Sequence, residues 1–147
     1  KPESAMYDEA RLLAAHDGAE PVAKEACLAI GDRLDTDIEA GNRGGYDSLA
    51  VLTGVTNPHE LMFAPEHLRP TYIAKELTGL NEPAPEVVHE AGAWSCRDVQ
   101  ACVDGDRLYV TDITSVDGLR AACAAMWDAA DRGHSVDGMI VPEFRIA

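Results

Sequence analysis

The sequence predicts an α/β fold, with a parallel sheet covered by helices over residues 1–82 and a small α+β module over residues 83–147. Three observations carry that prediction. In the first part, short continuous apolar runs alternate with helical patterns, as expected of strands buried on both faces. The string Asn81-Glu82-Pro83-Ala84-Pro85-Glu86 then interrupts the alternation as a linker. Beyond it, apolar and polar residues alternate one by one, the pattern of an antiparallel hairpin.

Pro2 suits the first turn of a helix, where a missing N–H costs nothing, and Ala5, Met6, Ala10, Leu13 and Ala14 keep helical spacing until Asp17-Gly18. Ala26-Cys27-Leu28-Ala29-Ile30 reads as a first strand, buried on both faces. Asp35 or Thr36 is placed to cap a second helix through Asn42, stopped by Gly44-Gly45. Ser48-Leu49-Ala50-Val51-Leu52 is a second strand and Thr71-Tyr72-Ile73-Ala74 a third, after a loop and short helix marked by Asn57-Pro58 and Ala64-Pro65. Three strands are few for a free-standing parallel sheet, so this portion reads as the second half of a larger core.

After the linker, Val99, Ala101 and Val103 form one arm of a hairpin, Asp104-Gly105 the turn, and Leu108 and Val110 the return. Ser115 caps a helix whose apolar face is Val116, Leu119, Cys123, Met126, Trp127 and Ala130, ending at Gly133. Met139-Ile140-Val141 reads as one more short strand. A module of this size is marginal alone and is expected to pack on the preceding piece.

Composition narrows the function classes. The 147 residues hold 26 Asp+Glu against 12 Lys+Arg, a formal charge of −14 spread along the chain. That balance argues against a nucleic-acid partner, which needs a basic face, and against anionic membrane surfaces. No apolar run approaches the roughly 20 residues of a spanning helix, and KPESAMYDEA lacks a signal-peptide core, so a soluble, cytoplasmic protein is expected. Cys27, Cys96, Cys102 and Cys123 form no Cys-x-x-Cys and read as free thiols, with Cys27 and Cys123 in the core.

Several residues are assigned to bland roles. His59-Glu60-Leu61-Met62-Phe63 begins like a zinc-protease helix, but Phe63 stands where the second histidine ligand is needed. His16, His67, His89 and His134 are scattered. The glycines of residues 41–45 follow a helix, which makes a helix stop rather than a phosphate cradle. Thr53-Gly54 follows a strand and reads as lining of a site at its end. Trp94 reads as an anchor of the C-terminal module and Trp127 as core; the alternative for either is an oligomer contact, which would imply a homodimer.

The chemistry concentrates in Gly31-Asp32-Arg33-Leu34-Asp35-Thr36-Asp37-Ile38. In open parallel sheets ligands sit beyond the carboxyl ends of the strands, and Asp32 falls at such an end. Carboxylate oxygens there suit Mg²⁺, which takes one or two protein carboxylates plus waters and substrate phosphate. Asp37, five residues on, can support the metal or orient the loop. Spacing alone leaves two readings open: this metal site, or a helix capped by Asp35 and Thr36 with Asp32 in a turn.

Gly-Asp-x-x-x-x-Asp after an apolar strand resembles the fourth motif of the haloacid-dehalogenase-like (HAD) phosphohydrolases. The longer string from Gly31 to Ile38 with Gly41 resembles their class IIA branch, the NagD and p-nitrophenylphosphatase-like enzymes. Lys1-Pro2 with Met6-Tyr7 resembles that branch's third motif, and Leu49–Val55 and Arg69–Ile73 sit where the branch has similar strings. Ser4 departs from the branch, which commonly has a second proline there. The resemblance covers residues 1 to about 80, and with the compact tail it is similar to bacterial glycerol 3-phosphate phosphatases of the branch.

The resemblance implies the C-terminal half of a Rossmann-like HAD core and a phosphomonoester hydrolase working through an aspartyl-phosphate. It also implies roles for three residues. Asp32 would ligate Mg²⁺, Asp37 would support it, and Lys1 would bind the phosphate and offset the nucleophile's charge. The family's Asp-x-Asp nucleophile motif and its cap precede that lysine. Asp35-Thr36-Asp37 belongs to the fourth motif, Asp104-Gly105-Asp106 to a hairpin turn, and Leu108–Thr114 has a strand and Asp112 but Thr114 in place of the acid. The expectation is therefore part of an enzyme, inactive alone, whose partners are a small phosphorylated metabolite and the half bearing nucleophile and cap. The rival expectation is a non-catalytic binding or oligomerisation module that retains the fold.

Overall fold

The structure, a computed structural model, describes residues 3–15 and 18–147, so the roles read for Lys1, Pro2, His16 and Asp17 lie outside the described residues. Contacts divide the chain into two compact units. One runs to Thr56 and includes Glu66–Glu76; the other takes Asn57–Pro65 and Leu77–Ala147. The sequence division at 82/83 thus differs from the contact division, which breaks after Glu76 and assigns the 57–65 segment to the C-terminal unit.

The first unit holds a parallel sheet of β1 (Leu28–Gly31), β2 (Asp47–Val51) and β3 (Tyr72–Ala74), in the order β1-β2-β3. The central strand β2 buries Ser48, Leu49, Ala50 and Val51, as its unbroken apolar run requires. Strand β1 corrects the expectation of two buried faces. Ala29 is buried, but Leu28 and Ile30 are each 37% exposed, because β1 is an edge strand with one face uncovered. Cys27 is half-buried rather than core, its thiol pointing at the Ala23 carbonyl. Helix α1 (Ala5–Leu13) buries none of its residues, and Met6 and Leu13 are each 71% exposed.

The second helical segment opens unexpectedly. Residues Leu34–Ile38 form a wide turn, closed by the Ile38 N–H on the Arg33 carbonyl at 3.2 Å, before α2 (Glu39–Arg43) continues. Neither Asp35 nor Thr36 caps it, since the N-terminal cap has no side-chain bond and Asp35 is occupied by Arg33. The stop falls as expected, with Gly44 closing the helix and Gly45 in the left-handed region at φ +79°. Gly41 is required where α2 meets the sheet, because a Cβ there would lie 2.8 Å from the Ala29 Cβ.

In the C-terminal unit, Asn57 caps α3 (Pro58–Met62) by accepting the Glu60 N–H at 2.8 Å, with Pro58 at the first helical position. An antiparallel sheet follows in the order β4-β5-β6-β7, with β4 (Val87–Glu90), β5 (Ala93–Cys96), β6 (Val99–Asp104) and β7 (Arg107–Val110). The β6–β7 hairpin is the expected one. The β4–β5 hairpin is additional, and it turns through Ala91 and Gly92, both at positive φ. Helix α4 (Val116–Asp131) packs on this sheet through Leu119, Ala122, Cys123 and Met126 and is capped by Ser115, whose hydroxyl accepts the Gly118 N–H at 3.1 Å. Residues 139–141 form a single bridge and not a strand: Leu108 donates to Ile140, and Ile140 to Asp106. Trp127 is half-buried rather than core, its indole N–H donating to the Leu61 carbonyl at 2.9 Å. Among the described residues no helix is long and apolar enough to cross a membrane.

Candidate active site

The carboxyl end of β1 delivers Gly31 and Asp32 into the connection that the wide turn completes. Asp32 and Asp37 are both half-buried there. Two glycines set their positions. A Cβ on Gly54, in the loop after β2, would fall on the Asp32 side chain, 2.5 Å from its Cγ. A Cβ on Gly31 would fall on Asp37, again 2.5 Å from Cγ. Each acid therefore occupies space that only the absence of a neighbouring side chain provides.

The loop after β2 also bonds to Asp32 directly. The Thr56 N–H donates to the Asp32 carbonyl at 2.9 Å, and the Val55 N–H to its Oδ2 at 3.3 Å. Among the described residues, Oδ1 of Asp32 accepts no hydrogen bond, nor does the Asp37 carboxylate. The Asp37 carbonyl accepts the Tyr7 hydroxyl at 3.2 Å, which ties α1 to the wide turn. Burial, and then the negative charge of Asp37, push the Tyr7 phenol above its ordinary range, so it remains a donor.

Three acids within six residues would repel each other without a cation. Arg33 supplies one: its guanidinium grips Asp35 through Nε and Nη2 at 3.2 and 3.1 Å. This bond holds the Asp35 carboxyl below its usual range, and Arg33 is itself pushed up by Asp35 first, then by Asp32 and Asp37. Sequence reasoning passed over Arg33; its signal was a lone basic residue inside an acidic string. It also passed over Tyr7, Val55 and Thr56 as holders of the site. Gly54, read as lining, lies against the Asp32 side chain.

Asp112, in the strand-then-Asp string, is folded on itself. Its Oδ1 accepts the Thr114 amide at 2.8 Å and hydroxyl at 2.6 Å, and these bonds depress its pKa. A carboxylate so engaged serves a turn, not a nucleophile.

Among the described residues no three His, Cys, Asp or Glu side chains gather to hold a metal ion. What the described residues at the strand end could offer a cation is the Asp32 carboxylate, whose Oδ1 accepts no hydrogen bond among them. That is a sparse, hard-oxygen set, and it fits a metal that keeps most of its waters, such as Mg²⁺.

Three parallel strands with carboxylates at the end of β1 fit the HAD type of α/β fold. The chain belongs to the HAD-hydrolase-like family, whose sequence pattern matches residues 1–80. It is 37% identical over 116 residues to a D-glycerol 3-phosphate phosphatase of Mycobacterium tuberculosis, covering 71% of this chain and 31% of that protein. It is 33% identical over 67 residues to the chloroplastic phosphoglycolate phosphatase 1A of Arabidopsis thaliana, covering 46% of this chain and 18% of that one. Among solved structures, a glycerol phosphate phosphatase of Mycobacterium tuberculosis in complex with magnesium superposes with a TM-score of 0.66 at 32% identity, covering 88% of this chain and 36% of that one. The same enzyme in complex with calcium gives 0.58 at 31% identity, covering 89% and 36%. The chain thus spans about a third or less of the length of these relatives.

Proposed function

We propose that these residues form the metal-bearing part of a phosphomonoester hydrolase that acts on a small phosphorylated metabolite in the cytoplasm. The observation that carries the reading is the Asp32/Asp37 pair, seated on Gly54 and Gly31 at the end of β1 in a chain of this family. Glycerol 3-phosphate is the favoured substrate, because the relative aligned over most of this chain is a D-glycerol 3-phosphate phosphatase. The module over residues 83–147 is a companion to residues 1–82, which carry the chemistry.

Asp32 would hold Mg²⁺ through its unbonded Oδ1 while Val55 fixes the other oxygen. Bound there, the ion would draw charge off the transferring phosphoryl group. Asp37, fixed by Gly31 and by Tyr7 on its carbonyl, would orient water around Asp32. Lys1 would offset negative charge on phosphate and nucleophile as a point cation. The nucleophile would be an aspartate outside these 147 residues: the carboxylate attacks phosphorus, the alcohol leaves with a proton, and water then cleaves the acyl-phosphate.

The test is p-nitrophenyl phosphate hydrolysis with Mg²⁺. The 147-residue chain alone should show none; joined to a HAD half bearing nucleophile and cap, it should turn over, and Asp32→Asn should remove that turnover. Hydrolysis by the chain alone would overturn the external nucleophile. A joined protein that binds glycerol 3-phosphate without hydrolysing it would favour the rival reading, a binding or oligomerisation module.

A further inference from the structure

The C-terminal unit has no role in the chemistry above, yet it contains a cleft of about 530 Å³ between the β4–β5 hairpin and the carboxyl end of α4. That volume lies within the range of small-molecule sites, roughly 300–1,000 Å³. One wall is His89 and Trp94, cross-strand partners whose rings stack at 4.5 Å with planes 6° apart. Val103 and Ala129 add apolar surface, both half-buried. The polar side chains of the lining are His89, Asp128, Arg132 and His134.

Arg132 and His134 are both exposed, and each has a partner. Arg132 pairs with Asp128 through Nε, at 3.1 Å. Among the described residues its two terminal nitrogens make no hydrogen bond, so an N–H fork is left for a second anion. The His134 Nε2 lies 2.9 Å from the Gly105 carbonyl, which can only accept, so Nε2 carries the proton and Nδ1 is the ring's remaining polar atom. In a chain with more than twice as many acids as bases, a guanidinium fork beside an aromatic wall, its charge partly offset by Asp128, is the group of this cleft that an anion would use.

We propose that this cleft binds a heteroaromatic anion of nucleotide size, its ring against Trp94, Val103 and Ala129 and its anionic group on the Arg132 fork. All the lining residues belong to the C-terminal unit, and the proposal does not rest on the phosphatase reading.

The probe is cyclic AMP, a phosphodiester that a phosphomonoester hydrolase cannot consume, titrated into the 147-residue chain with EDTA present. Saturable heat and quenching of tryptophan fluorescence are expected, with Kd at or below about 1 mM. Adenosine and inorganic phosphate should each bind at least about tenfold more weakly, and Arg132→Ala should lower cyclic AMP affinity about tenfold with an unchanged circular dichroism spectrum. Trp94→Phe should keep the heat and lose the quenching, because Trp127 lies against Leu61. No saturable binding of cyclic AMP at about 10 mM, equal binding by phosphate, or unchanged affinity in folded Arg132→Ala would each overturn the proposal.

Discussion

Helices α1 and α4 carry the same kind of apolar spacing, and they end in opposite circumstances. Helix α4 buries Gly118, Leu119, Ala121, Ala122, Cys123, Ala125 and Met126, because a four-stranded sheet lies beneath it. Helix α1 buries nothing, and β1 in the same unit leaves Leu28 and Ile30 part-exposed. Periodicity identifies the face that an element would bury. Whether something covers that face is a property of the surrounding chain.

The largest effect should come from Leu119→Ala, in the covered helix, since deleting a fully buried leucine side chain costs about 2–5 kcal/mol. Both tryptophans lie in the C-terminal unit, so urea unfolding followed by their fluorescence reads this loss directly. A shift below about 1 kcal/mol would mean that α4 is less tightly packed than its burial indicates.

Gly54→Ala moves the comparison to the site. The added methyl displaces the Asp32 carboxylate, and in the joined enzyme kcat should fall about a hundredfold with the fold intact. Ser115→Ala comes next, at about 1 kcal/mol from the lost cap of α4. Leu13→Ala in the uncovered helix should change thermal stability by less than about 0.5 kcal/mol. A larger loss would show that α1 does pack against something in solution.

The pH response should separate the units as well. Burial first, and then Asp117 beside it, raise the Cys96 thiol to about 11 from an ordinary value of 9.0. A raised folded pKa means a contribution fully present below pH 9 and lost as pH climbs through about 11. Melting followed by tryptophan fluorescence should therefore drop across that window, and Cys96→Ala should reduce the drop without abolishing it, because burial also raises the Cys123 thiol of the same unit.

Much of this architecture was legible because its signals are local. Asn57-Pro58 and Ser115 cap where they stand in sequence, and β2, β3 and the β6–β7 hairpin follow their apolar patterns. The β4–β5 hairpin was not legible, since its turn uses Ala91 at φ +50°, a conformation that alanine does not advertise. The wide turn escaped for a related reason: Leu34 and Ile38 are spaced as in an ordinary helix, and only the bond from Ile38 to Arg33 tells them apart. At the site, the acids could be read from their spacing. Their holders could not, because Val55 and Thr56 reach Asp32 through backbone N–H groups that carry no residue signature, and the Tyr7 hydroxyl meets Asp37 from 30 residues away. The phosphate-binding role read for Lys1 lies outside the described residues.

The wide turn gives this segment one residue of slack. Removing a residue, Thr36 for instance, would let the backbone close as a regular helix, and by secondary-structure propensity alone that is an improvement. Yet each helical residue carries about 100° of rotation, so the deletion would swing Asp37 away from Gly31 or turn Glu39, Ala40 and Gly41 off the sheet. Phase, and not stability, is what the surplus residue conserves, and a library selected for helix regularity here would discard it first.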